Sequence, residues 1–353
     1  MQRSTLLASL KAVSAALSSR DFIPVFACYC FADSRVLAYD DLVAMSMPCD
    51  LDITGAVRGV PLLNFVTAAK VKEITVEKQK DGEEHKAVFK AGRSKLTGPM
   101  IPEDDFVFER PSDDDVETIN APALRLVVQR VLSTMGFDPT RPEMMGVTVV
   151  IEKKKLTAYS TNDKMASTAS IGLPKKTKSH ATIGLSPRFC ELFASIKDPA
   201  EKIVYTESWI EVTYETGLTL FSRNLTSVDA DQYESLFAGL MKDAGGGIKI
   251  PKGLGRALER ALAVAPADGV TTRITAKDGD LKFNTTSTLG VVNDRLPKAK
   301  HDDISVVINP TLVKSGLDQE PTHFALTSQA ALLWDESYIF AATTVVDHTD
   351  DED

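Results

Sequence analysis

The sequence has 353 residues, of which 43% are hydrophobic and 25% are charged, and its formal net charge is −9. That length allows two or three domains of ordinary size, and the composition is typical of a soluble globular protein. No stretch approaches the roughly 18 apolar residues of a membrane span, and no N-terminal run resembles a signal peptide. Four cysteines fit a reducing compartment without a disulfide framework. We therefore expect a cytoplasmic protein with no membrane partner.

The chain begins with a helical pattern that recurs. In residues 5–20, four apolar residues lie at spacings of four, three and four, on one face of an α-helix: Leu6, Leu10, Val13 and Leu17. Five further stretches carry a similar stripe, and each begins with a proline, which is favoured in the first helical turn. They are residues 61–72, 122–135, 187–197, 251–265 and 310–317. Because their starts lie about 60 residues apart, the sequence predicts six copies of one structural unit.

Charge is sorted between these stretches and the rest of the chain. The six stretches carry twelve Lys/Arg and two acidic residues, whereas the remainder carries 28 basic and 47 acidic residues. Lys252, Arg256 and Arg260 follow one another at intervals of four, so they share one helix face. The net charge alone argues against nucleic-acid binding, and amphipathic helices often have charged outer faces. The separation of signs nevertheless favours a shared basic surface that binds a polyanion.

Short β-rich runs between the helical stretches indicate antiparallel strands. They are residues 25–31, 35–38, 74–77, 87–90, 146–152, 156–160, 202–206, 209–214, 271–276, 281–286, 290–293, 323–326, 331–334 and 338–344. We expect residues 92–96 to continue the 87–90 strand past a glycine, and Pro99 and Pro102 to break the ladder.

Two segments mark domain boundaries, the polar run 111–115 and the glycine-rich run 244–247. The predicted fold class is α+β, and each domain contains two copies of a helix followed by antiparallel strands. The predicted domains are 1–115, 116–243 and 244–347, followed by an acidic tail at 348–353.

No catalytic motif is found. The sequence has no P-loop, GxSxG or HExxH pattern, and none of the five histidines has metal-ligand spacing to another histidine or a cysteine. Cys28 and Cys30 would share one face of a strand, where two small core residues are a better interpretation than a metal site. The sequence thus predicts no cofactor, no metal and no enzymatic activity. The alternative of an active site assembled from distant residues stays open.

Two local motifs carry a resemblance to a known family. Residues 17–23, LSSRDFI, are followed by Pro24, and residues 91–95, AGRSK, are followed by IPEDDF at 101–106. Together with the six-copy layout, they resemble the bacterial β sliding clamps, the processivity factors of replicative DNA polymerase. The resemblance implies the DNA clamp fold, whose helices line the inside of a ring around double-stranded DNA. It also implies a head-to-tail homodimer joined through strand edges near 87–96 and 280–292, with DNA polymerase and the clamp loader as partners.

The resemblance also implies two sites. Arg20 aligns with a DNA-contacting arginine of the family, and Arg141 falls where the family has a second DNA-contacting loop. With the basic helix residues, the predicted DNA-binding set is Arg20, Lys70, Lys72, Arg125, Arg130, Arg141, Arg188, Lys197, Lys252, Arg256, Arg260 and Lys314. The family binds a short linear peptide of its partners between its second and third domains. By position, that pocket is lined here by Met144, Ser160, Thr161, Asn162, Asp163, Lys164, Met165, Tyr233, Leu236, Ile339, Ala341, Ala342 and Thr343.

Three departures from the family are visible. The first helix begins almost at Met1, where the family has a strand. The pocket turn reads Asn-Asp-Lys-Met at 162–165, and Ala-Thr-Thr at 342–344 with an acidic extension replaces a proline-methionine ending. These differences would suit a divergent or phage-encoded member. Two alternatives stay open: a monomeric, clamp-derived interaction module that does not encircle DNA, and a hydrolase acting on nucleic acid.

Overall fold

The computed structural model describes residues 1–18, 23–81, 84–106, 108, 116–174, 180–206, 208–225, 230–266, 269–297, 299 and 301–345. The chain divides into two compact units. Unit 1 is Met1–Pro122 with Arg188–Leu225, and unit 2 is Ala123–Pro187 with Thr226–Asp353. Within the described ranges, no helix combines the length and apolar character that crossing a membrane requires. The three-domain division stays a prediction, and its 111–115 boundary and its 348–353 tail lie outside the described residues.

The described residues form seven helices, six of which the sequence predicts. They are α1 (Arg3–Val13), α2 (Gly59–Ala68), α3 (Ala121–Val131), α4 (Pro187–Ser195), α5 (Ala230–Ala244), α6 (Leu254–Leu262) and α7 (Pro310–Leu317). Helices α4 and α7 begin at the predicted prolines, Pro187 and Pro310. Asn309 caps α7, because its side-chain oxygen accepts a hydrogen bond from the backbone N–H of Thr311 at 2.9 Å.

Helix α5 lies where the sequence analysis placed only two pocket residues and a domain boundary. Its buried residues Tyr233, Phe237 and Leu240 follow at spacings of four and three, so they form one apolar face. Three consecutive glycines with positive φ end this segment at 245–247. At Gly247 a Cβ would lie 2.2 Å from the Trp334 ring, so only glycine fits this turn.

The strands, in chain order, are β1 (Cys28–Ala32), β2 (Arg35–Tyr39), β3 (Val43–Pro48), β4 (Gly55–Arg58), β5 (Thr75–Asp81), β6 (Glu84–Ala91), β7 (Ser94–Ile101), β8 (Glu117–Ile119), β9 (Val147–Ile151), β10 (Lys155–Thr161), β11 (Met165–Gly172), β12 (Ala181–Leu185), β13 (Ala200–Tyr205), β14 (Trp209–Tyr214), β15 (Thr219–Leu225), β16 (Ile248–Lys249), β17 (Thr272–Lys277), β18 (Asp280–Ser287), β19 (Gly290–Leu296), β20 (Ile304–Ile308), β21 (His323–Leu326), β22 (Ala330–Trp334) and β23 (Tyr338–Val345). The predicted α+β class is confirmed, since each predicted helix is followed by a group of antiparallel strands.

In unit 1 the strands pair antiparallel in the order β5-β6-β7-β4-β1-β2-β3-β15-β14-β13-β8. Helix α1 packs on β2 and β3, and α2 packs on β1 and β4. The Tyr29 hydroxyl marks this helix-covered face, because it donates a hydrogen bond to the Leu10 carbonyl of α1 at 3.1 Å. At the N-terminus, backbone hydrogen bonds join Arg3 to Lys72 at 2.8 Å and Ile74 to Met1 at 2.9 Å, so residues 1–3 pair briefly before α1.

In unit 2 the strands pair antiparallel in the order β12-β9-β10-β11-β23-β22-β21-β16. The end of β23 also pairs with β20, from which the sheet continues as β17, β18 and β19. Helix α7 packs on one face of β23, where Gly316 lies against the Phe340 ring. Helix α5 packs on the opposite face through Tyr233, Phe237 and Leu240.

Two local predictions around the AGRSK motif are wrong. Gly92 has a φ of 62° and forms the turn of a β6–β7 hairpin, so residues 92–96 do not continue the preceding strand. Pro99 lies inside β7, opposite Lys86 of β6, rather than ending the ladder. A proline is tolerated there because, in the described part of the chain, the second side of β7 pairs only at Met100 and Ile101.

Fewer strands have an open edge than the two predicted dimer-contact ranges, 87–96 and 280–292, would suggest. Within the 87–96 range, β6 pairs on both sides, and β7 is the strand with an open side in the part of the chain that the structure describes. Of the 280–292 range, β18 pairs on both sides, and β19 is the outer strand among the described residues.

Candidate functional site

The basic residues of α6 are exposed on one side of the helix. Its opposite side is buried through Leu254, Ala257, Leu258 and Ala261. Arg256 and Arg260 are exposed, and Lys252 is exposed in the turn before the helix. Arg256 and Arg260 thus share the exposed side of α6, whereas Lys252 precedes the helix and is separated from it by the left-handed Gly253.

Acidic neighbours partly neutralise this face. The Lys314 ammonium of α7 lies 3.4 Å from the Glu259 carboxylate of α6. The Arg260 guanidinium pairs with the Asp294 carboxylate of β19. Lys252 and Arg256 are thus the residues of this face best placed to bind an external anion, because exposed charges need little desolvation to do so.

In unit 1 the predicted cations mostly lie at helix ends rather than on helices. Lys70 and Lys72 are exposed and follow α2, and Lys197 is exposed just after α4. Arg188 of α4 donates a hydrogen bond to the Ala15 carbonyl at 2.5 Å and lies 3.8 Å from the Glu191 carboxylate. Arg20 lies outside the described residues.

Arg125 and Arg130 of α3 are half-buried, and Arg130 is committed to internal contacts. Its guanidinium lies 2.5 Å from the Asp335 carboxylate and 2.6 Å from the Ser337 hydroxyl, and it covers the Tyr338 ring at 4.8 Å. Burial raises the pKa of Asp335, but hydrogen bonds from Arg130 and Ser337 lower it further, so the net pKa is below its usual range. Arg130 therefore ties α3 to the β22–β23 turn, and we leave it out of the DNA-binding face proposed below.

Arg141 joins the two predicted sites. Its guanidinium pairs with the Asp163 carboxylate in the turn between β10 and β11, and both side chains are exposed. Its own loop is ordered by Asp138, whose carboxylate accepts hydrogen bonds from the Thr140 backbone and hydroxyl at 2.9 and 2.7 Å. Those hydrogen bonds lower the pKa of Asp138. The predicted DNA loop and the predicted pocket turn are therefore neighbours within unit 2.

The predicted peptide-pocket residues divide between the two faces of the unit 2 sheet, because side chains alternate along a strand. On the α5 face, Tyr233 of α5 packs with Tyr159 of β10 at 5.2 Å between ring centroids, and Ile339 of β23 joins this cluster. Ala341 lies on the same face and packs with Leu240 of α5. These residues, with the exposed Leu236 and Thr343, form one coherent surface.

Three of the predicted pocket residues lie on the other face. The Ser160 hydroxyl is fully buried and donates to the Val131 carbonyl of α3 at 2.6 Å. Met165 receives a hydrogen bond from Ser315 of α7 at its sulfur, 3.5 Å away, and Ala342 is its buried cross-strand partner. Position along the chain assigned these three side chains to the pocket, but strand alternation turns them toward the helices.

The turn at 162–164 is closed by its own hydrogen bonds. The Asn162 side-chain oxygen accepts from the Lys164 and Met165 backbone N–H groups, each at 2.9 Å. The Lys164 carbonyl accepts from the Thr343 backbone N–H at 2.9 Å. The Met144 and Thr161 backbones both approach Gly136, since a Cβ there would be 2.3 Å from the Met144 carbonyl oxygen and 3.0 Å from that of Thr161. Asp163 and Lys164 project into solvent at the rim of the α5 face.

The sequence analysis missed a cavity of about 370 Å³ on the α5 face. Its walls include Thr157, Thr168, Phe237, Glu336 and Ile339. The signal available in the sequence was the spacing of Tyr233, Phe237 and Leu240, which identifies the helix that forms one wall. Among the described residues, no group of three or more His, Cys, Asp or Glu side chains is arranged to hold a metal ion.

No family model and no curated protein matches the sequence. Solved structures match it along nearly its whole length. The DNA polymerase sliding clamp from Bacillus subtilis is 16% identical, with a TM-score of 0.84 over 99% of this chain and 98% of that chain. The beta subunit from the DNA polymerase of Streptococcus pyogenes is 19% identical, with a TM-score of 0.82 over 98% and 99%. The DNA polymerase III subunit beta from Pseudomonas aeruginosa is 16% identical, with a TM-score of 0.81 over 98% and 99%.

These likenesses show that the chain has the fold of bacterial DNA polymerase sliding clamps, with a strongly diverged sequence. The resemblance given by the sequence motifs is thereby confirmed as a resemblance of fold.

Proposed function

We propose that this chain, which has the fold of the bacterial sliding clamps, is itself a sliding clamp without chemistry of its own. Two copies form a head-to-tail ring around double-stranded DNA and tether DNA polymerase, and a clamp loader places the ring on DNA. The likeness to solved clamps over 98–99% of this chain carries the proposal. The three-domain division at 115 and 243 belongs to the same proposal.

The excess of cations on the helical stretches supports DNA as the ligand. Lys and Arg side chains that contact phosphates contribute affinity without reading sequence, and they do so in a salt-dependent way. Within unit 2, Arg256 is exposed in the first turn of α6, and Lys252 is exposed in the turn that precedes the helix. Weak contacts of this kind suffice for a ring, because topology keeps it on DNA while the contacts allow it to slide.

A threading assay tests the ring. The labelled protein is allowed to thread onto a linear duplex, the duplex ends are then closed with bulky blocks, and the protein retained is measured at 50 and 300 mM salt. We expect retention on the blocked duplex to resist salt and to be lost when a restriction enzyme opens it. Equal loss from blocked and open duplexes would contradict a ring.

Charge reversals test the DNA-facing residues. Arg256→Glu alone is expected to reduce the protein retained on the blocked duplex less than twofold. The double variant with Lys252→Glu and Arg256→Glu is expected to reduce it by more than twofold. The salt slope of binding falls by about one for each phosphate that the variant no longer binds. Lys277→Glu, an equal charge change in the β17–β18 turn, is the matched control and leaves threading unchanged.

Two apolar surfaces support the head-to-tail dimer. Leu289, in the β18–β19 turn, and Val291, on β19, the outer strand among the described residues, are 65% and 58% exposed, and such apolar exposure is unusual beside an unpaired strand edge. In unit 1, a cavity of about 190 Å³ between α2 and the β6–β7 hairpin is lined by apolar side chains that include Leu62, Phe89 and Leu96. We infer that β19 of one copy covers this cavity and the open side of β7 in the other copy.

Light scattering after gel filtration tests the dimer at micromolar concentration. We expect a dimer for the natural sequence and a monomer for Leu289→Glu with Val291→Glu. Leu42→Glu replaces an exposed leucine in unit 1 outside these surfaces and keeps the dimer. A concentration-independent monomer of the natural sequence would favour the interaction module that does not encircle DNA.

The α5 face is the proposed docking surface for partner peptides. Leu236 and Thr343 are exposed on it and Ile339 is half-buried, whereas Tyr233 and Ala341 are buried beneath α5. Ile339 also lines the cavity on this face, which gives an apolar anchor of a short peptide a place to bind. Loss of polymerase binding in Leu236→Asp, with the threading behaviour unchanged, is the result expected of a docking residue.

A further inference from the structure

Unit 1 contains a cavity of about 500 Å³ on the sheet face opposite α1 and α2, here named the unit 1 cavity. Its walls come from β1, β2, β3, β14 and β15 and from the segment that carries Phe106 and Phe108. Cys30 and Leu37 contribute from the sheet, where alternation points them away from the face marked by Tyr29. A volume of this size accommodates one or two large side chains.

Aromatic rings form one side of the unit 1 cavity. Phe108 contacts Phe221 edge-on at 5.4 Å between centroids, and it contacts Tyr39 at 5.3 Å and Trp209 at 5.7 Å behind the wall. Because these rings brace one another, the aromatic wall is fixed before any ligand arrives. The same surface already holds a cation, since the Arg223 guanidinium lies 5.8 Å from the Trp209 ring.

The charged groups that line the unit 1 cavity are mainly acidic. Among the described residues, Asp33, Glu103 and Glu211 line it, and Arg35 is the cation that lines it with them. Arg35 is held by the protein itself, with hydrogen bonds to the Ser46 hydroxyl at 2.7 Å and to the Gly217 carbonyl at 2.8 Å. Burial, with a smaller contribution from the Glu103 carboxylate, raises the pKa of the Cys30 thiol to about 12.

The position of the unit 1 cavity matches that of the α5 face in unit 2. The cavity lies by the β3–β15 pairing, and the α5 face lies by the β11–β23 pairing. At each place, two strands that are distant in the sequence pair with each other. The covering segment is the one with Phe106 and Phe108 in unit 1 and α5 in unit 2. The repeat of the chain thus produces two comparable docking surfaces, with different side chains.

We propose that the unit 1 cavity is a second peptide-docking site, which binds an arginine side chain flanked by apolar residues in an extended segment of a partner protein. The guanidinium stacks on the Phe108–Phe221 wall and pairs with Glu103 at the rim, while the flanking apolar side chain covers Leu37. Arginine suits this site because its planar cation both stacks on rings and pairs with carboxylates.

Fluorescence anisotropy with two labelled peptides tests the site. The probes are fluorescein-Gly-Ser-Leu-Arg-Phe-Gly-Ser and the same peptide with Glu in place of Arg, at 50 mM salt. We expect the Arg peptide to bind at least tenfold more tightly than the Glu peptide. Glu103→Lys is expected to weaken the Arg peptide about fivefold or more, and Ala32→Trp, which fills the cavity, to abolish its binding. Glu215→Lys, in the β14–β15 turn outside the cavity, is the matched control and changes affinity less than twofold.

Each result decides for or against the unit 1 cavity. No binding of the Arg peptide, equal binding of both peptides, or equal weakening by Glu103→Lys and Glu215→Lys would overturn the proposal. Binding lost in Tyr233→Ala but kept in Glu103→Lys would assign the peptide to the α5 face and also overturn it. None of these results bears on the ring, because threading on DNA is measured separately. Circular dichroism of Ala32→Trp separates cavity filling from misfolding, and Glu103→Lys tests the site without altering the core.

Discussion

The Arg130 contacts allow a worked prediction for Arg130→Met. The side chains of Arg130 and Asp335 are only 18% and 17% exposed, so the substitution would leave a largely buried carboxylate without its cation. Breaking a buried pair costs about 3–5 kcal/mol, and an exposed pair contributes about 0–1 kcal/mol. Because some exposure remains, we expect the free energy of unfolding of unit 2 to fall by about 2–4 kcal/mol.

Urea unfolding of unit 2 measures this effect. The chain has two tryptophans, Trp209 in unit 1 and Trp334 in unit 2, so Trp209→Phe leaves a fluorophore that reports on unit 2 alone. Arg256→Met, which removes an exposed cation from α6, is the control and should cost less than about 0.5 kcal/mol.

The pH dependence gives a second check on the same pair. The pKa of Asp335 is lowered in the folded state, so its stabilising contribution is present above the unfolded pKa of about 3.9. That contribution is lost as the pH falls through the lowered, folded pKa. The difference between natural sequence and Arg130→Met should therefore be constant from pH 7 to 5 and shrink below about pH 4. A loss under 1 kcal/mol at pH 7, or additive effects of Arg130→Met and Asp335→Asn, would refute the reasoning.

Two further substitutions follow from the packing. Gly316→Ala places a Cβ about 2.5 Å from the Phe340 ring and should destabilise unit 2 by about 1–3 kcal/mol. The Cβ of Gly239→Ala in α5 meets nothing within 4 Å, so this substitution should stabilise unit 2 by up to about 1 kcal/mol through its higher helix propensity. Equal urea midpoints for the two variants would contradict this packing. Tyr233→Ala removes the ring stacked on Tyr159 and should speed limited proteolysis within α5. Tyr233→Phe keeps the stacked ring and should be cleaved as slowly as the natural sequence. Cleavage of both variants at equal rates would show that the stack does not hold α5.

Local signals sufficed for most helices but not for every strand. A proline followed by an apolar stripe located α4 and α7 at their first residues, because both features act within one helical turn. Strand β3 gave no signal, since it lacks the alternation of a half-buried strand: both faces of Val43–Pro48 are largely covered. Helix α5 was missed because its stripe lies in a segment that the family resemblance assigned to pocket lining.

The residues of the candidate sites were harder to predict because their contacts join positions far apart in the sequence. Nothing near Arg130 in the sequence distinguishes a buried cation from one that faces DNA, because its partner Asp335 lies 205 residues away. Ser160 and Ala342 were assigned to the pocket by their position along the chain, but a one-residue difference along a strand moves a side chain to the other face. The exposure of Arg256 follows from helix periodicity, because the residues of the opposite side of α6 are buried, whereas Lys252 lies before the helix and outside the reach of that argument.

The long-range strand pairings set the order in which the molecule can be made. Strand β3 pairs with β15, so the unit 1 sheet cannot close before residue 225 has been made, and β11 pairs with β23, the last strand described, so the unit 2 sheet closes only near residue 345. During synthesis β3 and β11 expose unpaired backbone, which is the condition under which nascent chains associate wrongly. Building each unit from segments so far apart in the sequence therefore favours slow folding, because the long loop must close before the strand pairing can stabilise it.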